Sequence, residues 1–287
     1  MLKRTLTSLL LIPPVIYLIG WSPDWLFLLA VAAGVVLGLR EFFGLCRAMG
    51  IKIFAWAGYV GAVALCVARV LPASAGYRCV DSILALAILL LPTLGLLRRT
   101  ELKDYLAASA ATLFGILYVG FALSCLIAIR GVHPPPTVLG PAGRADDLLA
   151  PGPRAVLLLF LVIWAGDISA YLVGRSVGRT PFFARISPRK TREGALAGLV
   201  GSALTAWGFA HWFWKSGEVK IIIMIAVGIA VAGQVGDLVE SAIKRGADQK
   251  DSGTLLPGHG GFLDRIDSTL FAAPALWLIF LSLGYCS

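Results

Sequence analysis

The sequence predicts an all-α, polytopic integral membrane protein, with about nine transmembrane helices and two functional loops on the cytoplasmic side. Three observations predict it. Of 287 residues, 58% are hydrophobic and 14% charged, with a mean hydropathy of +0.85, whereas soluble domains carry about 25% charged residues. The apolar residues fall in blocks of roughly 17–25, the length that crosses a hydrocarbon core of about 30 Å as helix. Lys and Arg collect on alternate loops between those blocks. This composition excludes a disordered chain, a collagen and a disulfide scaffold. Five scattered cysteines without CxxC spacing read as small buried residues. A net charge of +9 would suggest nucleic acid in a soluble protein. Here loop topology accounts for it, with anionic headgroups and phosphate substrates as partners, and no nucleic acid is expected.

In chain order the spans read 5–20, 25–39, 53–72, 82–97, 105–129, 155–173, 194–214, 219–239 and 268–284. The first follows Lys3 and Arg4 as a signal peptide would. No A-x-A site follows it, and Trp21-Ser22-Pro23 leads into the next apolar block, so it is read as retained. With the N-terminus inside, 18 of the 25 Lys and Arg lie inside and seven outside. That places the N-terminus and both long charged loops in the cytoplasm and the C-terminus outside, as in a bacterial inner-membrane protein. Three regions follow: five helices over 1–130, an outside Pro/Gly-rich loop over 131–154, and a four-helix catalytic region over 155–287. Gly194, Gly198 and Ser202 follow a small-xxx-small pattern, which suits close helix packing within the chain or at a homodimer interface. Trp21, Trp25, Trp212 and Trp214 read as interfacial anchors.

Chemistry concentrates in two places. Residues 237–267 hold ten charged residues in 31. Asp237, Glu240, Ser241 and Lys244 fall at i, i+3, i+4 and i+7, sharing one helical face. A run containing Gly246, Gly253, Gly258, Gly260 and Gly261 lets backbone N–H groups approach an anion. Asp264 and Asp267, three apart, can face one divalent ion. A solvated charged loop explains Asp237 poorly, because it ends an apolar helix and there requires a cation or a water-filled cavity. Asp167, flanked by apolar blocks, should face the bundle interior. The loop after it carries six Lys or Arg with Ser, Thr and Gly among them, a mixture suited to phosphate.

These residues resemble the phosphatidate cytidylyltransferases, or CDP-diacylglycerol synthases. The signature S-x-x-K-R-x4-K-D-x-G-x2-L-P-x-H-G-G-x2-D-R-x-D is met by Ser241, Lys244, Arg245, Lys250, Asp251, Gly253, Leu256, Pro257, His259, Gly260, Gly261, Asp264, Arg265 and Asp267. Asp167, Ala170, Tyr171, Gly174, Gly178 and the stretch from Ile186-Ser187-Pro188 to Glu193-Gly194 are also similar. Arg192 stands where the family often has an aromatic. The resemblance is strong over about 160–270 and weak over the first five spans.

The resemblance implies Mg²⁺-dependent transfer of CMP from CTP to phosphatidic acid, releasing pyrophosphate, with room for a second metal ion. It implies Asp237, Asp264 and Asp267 as metal ligands, and Lys244, Arg245, Lys250 and Arg265 on the phosphates. Asp251 and His259 belong to the same catalytic set. Asp167, Ser187, Arg189, Lys190, Ser241, Gly260 and Gly261 are implied as substrate contacts. A phosphate monoester is already ionised at pH 7, so no protein nucleophile is needed, which agrees with the lack of a Ser-His-Asp or Cys-His arrangement. The rivals are a polyprenol kinase or another CDP-lipid synthase, which share the plan but not the full ending, and a transporter, which would more often show repeat symmetry between halves.

Overall fold

Helix leaves no backbone group unpaired in hydrocarbon, and this chain uses it almost everywhere. The structure is a computed structural model that describes residues 13–97, 101–132, 149–213, 219–255 and 260–283. Its helices are α1 (13–20), α2 (Asp24–Ala48), α3 (Ala55–Ala68), α4 (Ala73–Leu97), α5 (Leu102–Gly115), α6 (Ala122–Arg130), α7 (Pro151–Ser176), α8 (Arg192–Phe213), α9 (Val219–Gly246) and α10 (Leu263–Ser282). A π-helical stretch, Ile116–Phe121, joins α5 to α6. Between α7 and α8, where the sequence reads only as loop, Pro181–Phe183 (β1) and Ser187–Thr191 (β2) pair antiparallel, Pro181 opposite Thr191 and Phe183 opposite Ser187, with a register irregularity between them.

Among the described residues six helices are long and apolar enough to cross a membrane: α2, α4, the rod Leu102–Arg130, α7, α9 and α10. The 14 residues of α3 rise about 21 Å, short of the core. The 22 residues of α8 have the length but carry many Gly, Ser and Thr. Helices also overrun the apolar blocks: α2 continues to Ala48, α4 begins at Ala73, and α9 runs to Gly246. Hydropathy marks where lipid ends, whereas hydrogen bonding and caps decide where helix ends. At the end of α2, Gly50 takes a φ of +75° and the Ile51 amide reaches back to the Cys46 carbonyl at 2.9 Å, a Schellman closure.

The chain forms two compact units. One comprises Met1–Ser22, Ile129–Ser241 and Asp267–Ser287. Within it α7 and α8 run antiparallel along a seam of small residues. A methyl on Gly194 would lie 2.8 Å from the Ala170 carbonyl, and one on Gly198 would lie 3.1 Å from that of Gly166. Ser202 Oγ donates to the Val162 carbonyl at 2.9 Å. The Gly194-Gly198-Ser202 stripe is thus engaged inside the chain, with α7. Gln234 Nε2 donates to the Ala195 carbonyl at 2.9 Å and ties α9 to α8. Arg130, buried, donates from Nε to the Ile19 carbonyl at 3.0 Å and also bonds the Ser22 carbonyl, a cation at the C-terminal end of α1.

The other unit comprises Pro23–Ala128 and Ala242–Ile266. Phe42, Phe114 and Tyr118 form an aromatic cluster that runs from its core to its surface, the exposed Phe114 stacked on Tyr118 with centroids 5.2 Å apart. Gly58 lies under the Phe43 ring, and Gly120 of the π stretch lies against Ala62 of α3. Thr112 Oγ1, itself donating to the Ala108 carbonyl at 2.8 Å, receives the Phe54 amide at 2.9 Å at the start of α3.

Candidate active site

In the first unit, α7, the hairpin, α8 and α9 enclose a cavity of about 700 Å³. Asp167, Tyr171, Arg175, Phe182, Arg189, Lys190, Thr191, Gln234 and Asp237 are among its lining residues. Asp237 and Lys190 form an ion pair there, each side chain about one third exposed, and Ser241 Oγ lies 3.4 Å from Asp237 Oδ1. An aspartate in an apolar helix needs such a cation or cavity, and Asp237 has both. Asp167 lines the same cavity and is solvent-accessible there. Arg175 Nη1 donates to the Tyr171 hydroxyl at 2.9 Å.

Local chemistry presents the hairpin. Thr191 Oγ1 accepts the Gly194 amide at 3.2 Å and caps α8. Glu193 accepts the Arg179 and Thr180 amides at 3.2 Å, closing the chain between α7 and β1. Its own backbone amide, Thr180 and the Arg179 amide hold the Glu193 carboxyl at about 2, below its ordinary 4.5. A side chain at Gly178 would strike Thr191 and the Gly174 carbonyl, so that position admits little else. Ser187 begins β2 beside this cavity-lining pair but is not itself a lining residue.

A second construction, in the other unit, is a knot of two carboxylates. Asp264, in the first turn of α10, accepts Lys244 Nζ at 2.6 Å, the Gly261 amide at 2.8 Å and the Ser252 amide at 3.0 Å. Its own amide donates to Ser252 Oγ at 3.3 Å. Glu41, from α2, accepts Ser252 Oγ at 2.9 Å, the Phe262 amide at 3.0 Å and the Leu263 amide at 2.8 Å. Gly260 has a φ of +80°, and a methyl there would lie 2.8 Å from Asp264 Oδ2; one on Gly253 would lie 2.6 Å from Glu41 Oε1. The glycines admit anions to the backbone, as their pattern predicts, but the anions in place are the protein's own carboxylates.

Of the remaining expected residues, Arg245, Lys250, Asp251 and Arg265 belong to this unit and Asp267 to the first. Arg245, Lys250, Asp251 and Arg265 are exposed; Arg245 Nη1 donates to the Gln249 carbonyl at 3.3 Å. Asp248, with a φ of +53°, and the Gln249 amide, 2.8 Å from the Lys244 carbonyl, close α9. Asp267 Oδ1 accepts the Ser268 amide at 2.6 Å. His259 lies outside the described residues. Among the described residues no three His, Cys, Asp or Glu side chains are gathered closely enough to hold a metal ion. The donors nonetheless suit a hard cation: Asp237 and Asp264 are carboxylates, and each already has an ammonium against it.

Glu41 and Ser252 are missing from the expected set, as are Tyr171, Arg175 and Phe182 as cavity residues. A signal for Glu41 did exist, in an acidic residue set between Leu39 and Phe42-Phe43. The flanking Arg40 and Arg47 draw attention as topology markers, while Glu41 contributes nothing to that count.

Residues 2–283 match the cytidylyltransferase family. The chain is 34% identical over 270 residues to the phosphatidate cytidylyltransferase of Synechocystis sp., covering 88% of this chain and 87% of that one. It is 32% identical over 287 residues to the Staphylococcus haemolyticus protein of the same name, covering 98% and 99%. With the Bacillus subtilis protein of that name it is 34% identical over 247 residues, 85% of each.

Proposed function

Because the chain belongs to the cytidylyltransferase family, we propose that it transfers CMP from CTP to phosphatidic acid. A phosphate oxygen of the lipid attacks the α-phosphorus of CTP, the bond between that phosphorus and the β-phosphate oxygen breaks, and CDP-diacylglycerol and pyrophosphate result. Both reactants are anions, so the protein's task is to neutralise and orient them. One observation carries the reading: Asp167, Arg189, Lys190 and Asp237, from α7, the hairpin and α9, line one cavity. Arg189 and Lys190 bind phosphate there. Asp237 keeps the Lys190 ammonium at the wall. Lys244, Arg245, Lys250 and Arg265 supply further positive charge, and Asp264 orients Lys244.

The family resemblance supports Mg²⁺ as the ion of this reaction, with Asp237, Asp264 and Asp267 proposed as the carboxylates that would serve it. When bound, such an ion neutralises phosphate charge. Asp167, Ser187, Ser241, Gly260 and Gly261 belong to the substrate contacts, and Asp251 and His259 to the catalytic set. Each of the nine apolar blocks contains helix in its described part, six of them long and apolar enough to cross. The 18-to-7 division of Lys and Arg is what supports nine spans with the N-terminus and site cytoplasmic and the C-terminus outside.

The test is transfer of label by purified protein in detergent, with and without Mg²⁺. Label from α-labelled CTP should enter lipid, with release of pyrophosphate. Entry of γ-label instead would make the protein a kinase and overturn this reading.

A further inference from the structure

Glu41 lies 211 residues before Ser252, its hydroxyl partner, on a helix whose neighbouring residues Leu39, Phe42 and Phe43 are buried core. Glu41 is 5% exposed. A buried carboxylate persists when its oxygens are hydrogen-bonded, and Glu41 is met by one hydroxyl and two amides, donors on both oxygens. That donor set suits an ionised carboxylate. An amide side chain would turn an NH₂ toward an N–H or O–H.

The bonds continue beyond Glu41. Ser252 gives its hydroxyl proton to Glu41 Oε2 and accepts the Asp264 amide on the same oxygen. The Ser252 amide lies on the Asp264 carboxylate, which holds Lys244 Nζ. The Phe262 and Leu263 amides fall where helix α10 begins, so a carboxylate supplied by α2 caps that helix. Fixing those two amides and the Ser252 rotor fixes the start of α10, and with it the direction of the Asp264 side chain.

We infer that Glu41 is a positioning residue for the transfer reaction. Through Ser252 and the first amides of α10, it fixes the Asp264 carboxylate and the Lys244 ammonium in the arrangement the transfer reaction uses. This role rests on the cytidylyl-transfer reading above; Glu41 itself touches no substrate.

The experiment uses the full-length protein in detergent and measures transfer of α-label per folded molecule, together with amide exchange at Phe262 and Leu263. Glu41→Gln should lower kcat about 100-fold, the scale of a misplaced catalytic group, while KM for CTP stays within about twofold. Exchange at one of the Phe262 and Leu263 amides should quicken by on the order of tenfold or more, because Gln keeps one accepting oxygen and turns its NH₂ toward the other amide. Ser252→Ala keeps the Ser252, Phe262 and Leu263 amide bonds and removes the two made by the hydroxyl, to Glu41 and from the Asp264 amide. It should cost roughly tenfold in kcat, and the double variant should be little worse than Glu41→Gln, because both act along one path.

A folded Glu41→Gln protein with wild-type kcat overturns the inference. So does a lower folded fraction at unchanged kcat per folded molecule, since that is bracing alone. If Glu41→Gln does not fold, Ser252→Ala decides, and wild-type kcat there overturns the inference equally. A wild-type protein that transfers no α-label sinks the function reading, whatever the variants do. An active wild type beside a fully active Glu41→Gln protein sinks only the role of Glu41.

Discussion

Replacing Asp264 by Asn removes one charge and hardly alters volume, so its effect reads the knot directly. Lys244 and Asp264 are 11% and 13% exposed. The figure for a surface pair, about 0–1 kcal/mol, therefore does not apply. Removing one partner of a buried pair costs about 3–5 kcal/mol, mostly for the charge left behind. The Asn keeps one oxygen, which can accept either Lys244 or the Gly261 amide but not both in their present places. The other donor then faces an NH₂, at roughly 1–3 kcal/mol for an unsatisfied buried group. Partial escape of the Lys244 ammonium to water limits the sum, and we expect about 3 kcal/mol. Denaturant unfolding in detergent micelles measures it, with the label-transfer assay alongside. Activity should fall by orders of magnitude. Lys244→Met in the Asp264→Asn background removes the stranded charge and should recover about 1–3 kcal/mol. A single variant within about 0.5 kcal/mol of wild type, or a double variant that is simply additive, would refute the argument. Full activity in Asp264→Asn would also reject this aspartate as a metal ligand.

Three further outcomes follow from the geometry. Gly261→Ala drives a methyl into Ser252 Oγ and Glu41 Oε2 and should destabilise by about 1–3 kcal/mol, whereas Gly44→Ala, with open space around it on α2, should be neutral or stabilise by up to about 1 kcal/mol; denaturant unfolding compares them. Glu193, held at about 2 against an ordinary 4.5, contributes stability that is present above 4.5 and is lost as pH falls toward 2. Amide exchange at Arg179 and Thr180 should accelerate across that window, and Glu193→Gln should remove the pH dependence. If the C-terminus lies outside, as the Lys and Arg distribution predicts, Cys286 should react with a membrane-impermeant thiol reagent on intact cells, and a C-terminal reporter that behaves as cytoplasmic would defeat the nine-span topology.

What was legible in the sequence is what depends on one residue and its near neighbours. Apolar blocks and helical periodicity suffice for the all-helical, membrane-embedded class, because hydrocarbon allows no unpaired backbone. Asp237 and Asp167 stood out for a related reason: an acidic group in an apolar helix demands a cation or a cavity, and both line the cavity of the first unit. Gly260 and Gly261 advertised an anion close to the backbone.

Which anion it is could be decided only by the tertiary structure. Glu41 carries no periodicity or motif that points across 211 residues to Ser252, and hydropathy places it at the end of a span beside Arg40. Its burial and its donors exist only once α2 packs against the segment that opens α10. The ends of α2, α4 and α9 and the β1–β2 hairpin were equally hidden, since caps, left-handed residues such as Gly50 and Asp248, and the Glu193 bonds set them. The sequence determined which residues carry charge near the membrane; long-range packing decided which charges hold the protein together and which remain open to a substrate, because a carboxylate's role depends on the donors that folding brings to it.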